Sequence, residues 1–366
     1  MAKLRVGIIG CGLIAQVMHL HYLRELADRF EIAALCDVSE DVRTACARDY
    51  GVETTFADWR DLVAAPLDAV FILTSGSHAP IAIAAAEAGK HVLTEKPMCF
   101  SVAEGHAMIA AAERAGTTLM VGYNKRYDPA YQRFVEEARA LQDIRLARVT
   151  TLESPFQPYV AHYRLHKPAP LPADLAARFD ADNQARITAA IGTADPLSRH
   201  AYHLVLLDSM VHEFNAIRGL LGEPDRLEFS DISETGLTAI LRFGGTQCVI
   251  TWVDLPGIAR YQMDFSFFTP QRRLTLAFPS PFLRSMPTLL TIEGGDDASP
   301  RAWATQETTS YAESFKQELV HFHDCITSGR TPITSAQDAL HDIALCEAIV
   351  AVHRSRTPRD RPTDTA

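Results

Sequence analysis

Short apolar runs alternate with helical stretches over the first 122 residues. Residues 3–9 form the first run, which Gly10 and Gly12 interrupt. Residues 31–36 form a second, ended by Asp37, and further runs lie at 68–74, 91–94 and 118–122. Between them, residues 13–27 place Ile14, Val17, Met18 and Leu26 at helical spacing, and Ala-rich stretches at 79–88 and 103–115 read as helices. Apolar runs without polar alternation fit strands covered on both faces. Their alternation with helices predicts a parallel sheet with crossover helices.

The pattern changes after about residue 128. A helix is expected over 129–142, then strands near 145–153, 225–231, 236–243, 246–253, 261–268 and 272–277. Phe243-Gly244-Gly245-Thr246 is a hairpin signal, so this half reads as an antiparallel sheet. A helical segment at 203–221 interrupts it, and helices near 310–328 and 335–354 follow. The segment 155–200 has six prolines and weak periodicity, which predicts a lid or binding loop. Residues 355–366 are Pro- and charge-rich and are expected to be disordered. The fold class is α/β: a parallel-sheet domain over 1–127, then an α+β domain over 128–354 with a large, mostly antiparallel open sheet. The final helices are free to pack back on the first domain.

Composition narrows the function. The chain has 366 residues, 47% of them apolar, enough for two cores. Its 35 basic and 45 acidic residues give a net charge of −10 with no basic run, which disfavours nucleic acid and anionic membranes as partners. No apolar stretch approaches the roughly 18 residues of a membrane helix. The seven scattered cysteines form no C-x-x-C pair, which argues against disulfides and structural zinc. No metal site is expected: His321 and His323 would split across helix faces. With no signal-peptide pattern, the expected location is cytoplasmic.

Gly10-Cys11-Gly12-Leu13-Ile14-Ala15 is a G-x-G-x-x-A fingerprint between a strand and a helix. Gly10 permits the tight turn, Gly12 lets a pyrophosphate approach, and Ala15 lets helix pack on strand. Leu13 and Ile14 open the helix, whose free N–H groups attract phosphate. Asp37 lies 22 residues after Ala15, at the end of the second run. A carboxylate there accepts hydrogen bonds from ribose hydroxyls and repels a 2′-phosphate, so NAD is favoured over NADP. Glu95-Lys96-Pro97 and Asn124-Lys125-Arg126 follow the runs at 91–94 and 118–122. Carboxyl ends of strands are where such sheets bind ligands, so Glu95, Lys96, Asn124 and Arg126 are expected beside the nicotinamide.

On these motifs, on Gly122-Tyr123-Asn124-Lys125-Arg126-Tyr127-Asp128-Pro129 and on the C-terminal helices, the chain resembles the Gfo/Idh/MocA family. The resemblance implies a Rossmann domain, an open sheet that forms homodimers or homotetramers, and hydride transfer at a secondary alcohol of a sugar, glycoside or cyclitol. It also implies a catalytic set of a Lys from Glu-Lys-Pro and an Asp-x-x-x-His pair. Here these are Lys96, Asp208 and His212, with a Lys96–Pro97 peptide that in the family is often cis. The spacing of four puts Asp208 and His212 on one face of a helix. Either His212 or Lys96 could take the hydroxyl proton, and burial would lower the pKa of Lys96.

The chain departs from the family in lacking glycines before Asp208 and in having Asn215 where an acid is usual. Tyr127, Tyr163, His200 and His203 are expected to join Lys96, Asp208 and His212 around a wider substrate pocket suited to a glycoside. Two other readings are a non-redox enzyme with tightly bound NAD, as in the family's glycosidases, and a non-catalytic sensor of nucleotide or sugar.

Overall fold

The computed structural model describes residues 3–170, 172–296 and 298–356. Most of the expected tail, residues 357–366, lies outside the described residues, whereas Ser355 and Arg356 close a helix. The first sheet is parallel, with order β3-β2-β1-β4-β5-β6. Its strands are β1 (Leu4–Ile9), β2 (Phe30–Cys36), β3 (Thr55–Phe56), β4 (Ala69–Ile72), β5 (His91–Glu95) and β6 (Leu119–Gly122). Every residue of β4 and β6 is buried, as expected for strands covered on both faces. The covering helices are α1 (Leu20–Glu25), α2 (Glu40–Tyr50), α3 (Trp59–Ala64), α4 (Ala79–Glu87) and α5 (Val102–Ala115). The helix after the fingerprint runs from residue 13 to 25, with a π-helical stretch at Ala15–His19 before α1.

The second sheet has eight strands in the order β14-β13-β12-β11-β7-β10-β9-β8. They are β7 (Leu146–Glu153), β8 (Arg226–Ile232), β9 (Gly236–Phe243), β10 (Thr246–Asp254), β11 (Gln262–Phe268), β12 (Arg272–Phe278), β13 (Leu289–Asp296) and β14 (Ser299–Thr308). Only β7 and β10 pair in parallel; the other neighbours are antiparallel. Along β9, Leu237, Ala239, Leu241 and Phe243 are buried and alternate with half-buried residues, so one face packs on helices. The helices of this half are α6 (Pro129–Arg139), which packs on β12 and β13, α7 (Gln157–Val160), α8 (Ala173–Ile191), α9 (Pro196–His200) and α10 (Val211–Leu221). The Pro-rich segment 155–200 is thus largely helical, unlike the loop expected of it. A run of alanines and long polar residues carries α8 through despite the flanking prolines.

The last helices, α11 (Ser314–Ser328) and α12 (Ala336–Arg356), return to the first sheet. Phe315, Leu319 and Phe322 of α11 share a core with β1, β2 and the fingerprint helix, and Phe322 meets Phe71 edge-on at 5.5 Å. Thr334 closes the free edge of β6: Val121 N–H donates to its carbonyl at 2.9 Å, and its hydroxyl donates to Val121 O at 2.8 Å. α12 buries Asp342 against Arg218 of α10 at 2.6 Å, and Asn215 donates to both Asp338 and Asp342 at 2.8 Å. Asn215 therefore belongs to a buried joint between helices.

Candidate active site

The carboxyl ends of β1, β4, β5 and β6 face one end of the second sheet across a cleft of about 830 Å³. Gly12, Leu13, Ile14, Glu95, Lys96, Asn124, His203, Asp208 and His212 all line it. The fingerprint thus shares one cavity with the proposed catalytic set.

At the fingerprint, Gly10 has φ +94°, and an added Cβ would lie 2.8 Å from the Leu73 carbonyl. Gly12 differs: an added Cβ would meet nothing within 4 Å. The protein does not fill the space over Gly12, which suits a pyrophosphate seated on this turn. Ala15 is fully buried under the helix. Asp37 ends β2, accepting from Cys11 N–H and Ser39 N–H at 2.8 Å each. A carboxylate has lone pairs left for ribose hydroxyls after these two bonds. Arg43 donates to the Asp37 carbonyl at 2.6 Å. The residues present therefore fit a nicotinamide dinucleotide.

Lys96 follows β5, and its peptide to Pro97 is cis. Its ammonium donates to Asp208 Oδ1 at 2.8 Å and to the Asp208 carbonyl. Burial alone would lower its pKa. The Asp208 carboxylate outweighs that, with help from Glu95 and Glu213, so Lys96 is raised and stays charged. This corrects the expectation that burial depresses it. Burial likewise pushes Asp208 up, and Lys96 more than offsets the effect. Behind Lys96, Glu95 accepts from its backbone N–H at 3.2 Å and pairs with His19 at 2.7 Å.

Asp208 lies in a π-helical segment, Ala201–Met210, which passes into α10 before His212. The expected continuous α-helix is therefore absent, yet both side chains still reach the cleft. His212 stands edge-on to Tyr123 at 6.0 Å between ring centres. Its Nδ1 is buried with no hydrogen-bond partner among the described residues. Burial, then the Lys125 and Lys96 ammonium groups, hold its pKa well below the usual histidine value. His212 is thus a neutral imidazole near neutral pH.

Asn124 lines the cleft and donates to Ser314 Oγ at 2.9 Å. His203 also lines it, edge-on to Phe100 at 5.2 Å. Four expected site residues lie elsewhere. Arg126 donates to the Asn215 carbonyl at 3.1 Å, within the α10–α12 joint. Tyr127 is buried, its hydroxyl 2.7 Å from Thr334 Oγ1. Tyr163 donates to the Phe282 carbonyl at 2.8 Å and carries the Arg284 guanidinium over its ring. His200 is exposed at the end of α9. Arg126 and Tyr127 follow β6 on a 3₁₀ turn, Asn124–Tyr127, whose first two residues line the cleft and whose last two turn away from it.

Two buried charged residues carry no mark in the sequence pattern: Lys125, which lines the cleft, and Glu213 behind it against Thr151. Burial lowers the Lys125 ammonium, and Glu213 partly offsets this. Burial raises the Glu213 carboxyl, which Lys125 and the Thr151 hydroxyl partly counter. Lys125 sits inside the motif after β6 and Glu213 directly follows His212, so chain position offered the one available signal.

A family model described as an oxidoreductase family with an NAD-binding Rossmann fold matches residues 4–123. The myo-inositol 2-dehydrogenase of Thermotoga maritima is 26% identical over 349 residues, 92% of each chain. The D-apiose dehydrogenase of Paraburkholderia graminis is 27% identical over 365 residues, 94% of this chain and 86% of the relative. A levoglucosan dehydrogenase solved with NADH and levoglucosan shares the fold at a TM-score of 0.74 and 21% identity, over 97% of this chain and 98% of that one. No helix among the described residues is long and apolar enough to cross a membrane. Over residues 4–123 the chain thus matches an oxidoreductase family with an NAD-binding Rossmann fold, and over most of its length it is similar to dehydrogenases of a sugar and a cyclitol.

Proposed function

We propose that the chain is a dehydrogenase or reductase that moves a hydride between a nicotinamide dinucleotide and a secondary alcohol or ketone carbon of a sugar, glycoside or cyclitol. One observation carries this reading: the glycine turn and the Lys96–Asp208–His212 group line a single cleft. The nicotinamide, when bound, supplies the hydride acceptor or donor. Gly10, Gly12, Leu13 and Ile14 would hold its pyrophosphate, and Asp37 its adenosine ribose.

The protein's own groups handle the proton. His212, neutral by burial, takes the hydroxyl proton as the carbonyl forms, and returns it in reduction. Lys96, kept charged by Asp208, stabilises negative charge on the reacting oxygen. Asp208 holds Lys96 in place across the cleft. This division of labour follows from the opposite pKa shifts of the two bases.

NAD is the favoured cofactor: a carboxylate such as Asp37, directly after β2, would repel a 2′-phosphate. The outer face of the eight-stranded sheet, with Thr238, Ile240, Val249 and Thr251 only half-buried, supports a homo-oligomer. Sedimentation velocity tests that part.

The main test is absorbance of reduced nicotinamide with inositols, aldoses and glycosides. Signal with one class, lost in Lys96→Ala and His212→Ala, is expected. Nucleotide released only on denaturation, with no net reduction by any substrate, would overturn the reading in favour of a tightly bound cofactor.

A further inference from the structure

Beyond the Lys96–Asp208–His212 group, the cleft continues along one end of the eight-stranded sheet, and strand registers set what lies there. β7 and β10 run parallel and finish together, Glu153 opposite Asp254. β11 begins beside them, Gln262 opposite Leu152, and β12 finishes beside β11, Phe278 opposite Met263. Four strand ends converge. Each brings aromatic rings to the cleft: Phe156 and Tyr159 after β7, Trp252 in β10, Tyr261 before β11, and Phe282 after β12.

These rings are fixed in place. The Tyr159 hydroxyl accepts from the Tyr261 N–H at 2.5 Å and from the Ser154 hydroxyl at 3.3 Å. Phe156 and Phe282 lie 5.9 Å apart. Trp252 stands in one row with Thr151 and Met263 across three strands. Phe156 is nevertheless 43% exposed, an apolar ring left facing water at the cleft.

The two ends of the cleft thus differ in chemistry. The reacting end concentrates hydrogen-bonding groups: Lys96, Asp208, His212 and Lys125. A free monosaccharide or cyclitol is a ring of hydroxyls, which that end meets. The aromatic end is lined by five aromatic side chains, with Glu153, Ser154 and Ser280 as the polar residues among them. A pyranose ring presents apolar C–H faces above and below while its hydroxyls point outward at the rim. Such a ring stacks on an aromatic shelf and keeps its hydroxyls in water.

We infer that the chain acts on a glycoside with at least two rings, the reacting sugar at the Lys96 end and the second ring on the shelf formed by Phe156, Tyr159, Trp252, Tyr261 and Phe282. The inference rests on the proposed dehydrogenase reading for the sugar that reacts; the shelf itself binds whether or not hydride moves.

Two measurements test it. In the first, kcat/KM is compared for glucose, myo-inositol, methyl glucoside, maltose and cellobiose. A disaccharide is expected to exceed methyl glucoside, and Phe156→Ala is expected to reduce that ratio about tenfold, the effect of losing one stacked ring. Phe282→Ala is a second variant on the same shelf. A free monosaccharide or inositol that matches the best disaccharide, or an unchanged ratio in both variants, would overturn the inference.

The second measurement is the tryptophan emission of the whole protein against Trp252→Phe, titrated with maltose and cellobiose. A disaccharide response that depends on Trp252 is expected. If it appears while no sugar reduces the nicotinamide, the shelf stands and the dehydrogenase reading fails. If monosaccharides reduce the nicotinamide and no disaccharide moves the Trp252 signal, the shelf fails alone.

Discussion

Lys96 Nζ lies 2.8 Å from Asp208 Oδ1, so one ion pair spans the two halves of the cleft. The lysine comes from the end of a parallel strand and the aspartate from a π-helical turn more than a hundred residues later. Each holds the other in its charged form, which is what an oxyanion-stabilising cation requires.

Removing the cation should therefore affect turnover far more than cofactor affinity. Lys96→Met is expected to lower kcat by about 10²- to 10⁴-fold. Lys96→Arg should restore little, because a planar guanidinium does not replace a compact ammonium. Single-turnover kinetics with cofactor binding measured separately checks both; equal losses in binding and turnover would assign Lys96 to holding the nucleotide.

His212 gives a pH prediction. Its folded pKa lies well below the unfolded value of about 6.5, so the folded state resists protonation. The stability from keeping it neutral is present above pH 6.5 and is lost as pH falls from there through the depressed folded pKa. Oxidation should keep its rate through pH 6.5 and fall only in more acid solution. A kcat profile with an acid limb at 6.5 or above would show that His212 is not the base. His212→Gln should remove the acid limb along with most of the activity.

The two fingerprint glycines should behave differently. Gly10→Ala forces a side chain into a left-handed backbone and against Leu73, and is expected to cost about 1–3 kcal/mol or more in urea unfolding. Gly12→Ala meets no protein atom, so the unfolding midpoint should hold while the dinucleotide Kd rises. A lowered midpoint in Gly12→Ala would mean that this glycine serves the turn rather than the ligand.

Asp37 should set cofactor choice and also support the turn. Asp37→Ser is expected to shift the NAD-to-NADP ratio of kcat/KM toward NADP by tenfold or so, the range of one or two lost hydrogen bonds. It also removes an acceptor from Cys11 N–H, so some stability should go with it. An unchanged ratio would place the ribose away from Asp37.

The nucleotide half was readable because its chemistry sits beside its strand ends. Gly10, Asp37 and Lys96 each follow an apolar run directly, so local pattern placed them at the carboxyl ends of strands. The substrate half was not. Trp252, Tyr261 and Phe282 meet only because β10, β7, β11 and β12 lie side by side in the sheet, and no local spacing records that pairing. β13 and β14, which form one edge of the sheet, were not expected: no strand was read between 277 and the helix near 310. The expected pocket of Tyr163, His200 and His203 kept only His203, since the other two sit on segments whose path depends on how α8 and α9 pack. A π-helix leaves no mark on residue spacing, so the helix bearing Asp208 was expected in the wrong form.

Thr334 closing the edge of β6 has a consequence for how the protein is made. The nucleotide-binding sheet leaves the ribosome before the second sheet, yet its last edge is sealed by a residue about 210 positions downstream. At about 5–20 residues per second, synthesis takes roughly 10 to 40 s to deliver that seal. During that interval the new sheet carries an unpaired strand, and the α11 side of its core lacks Phe315, Leu319 and Phe322. The half made earlier must therefore wait, open-sided, for a segment made much later.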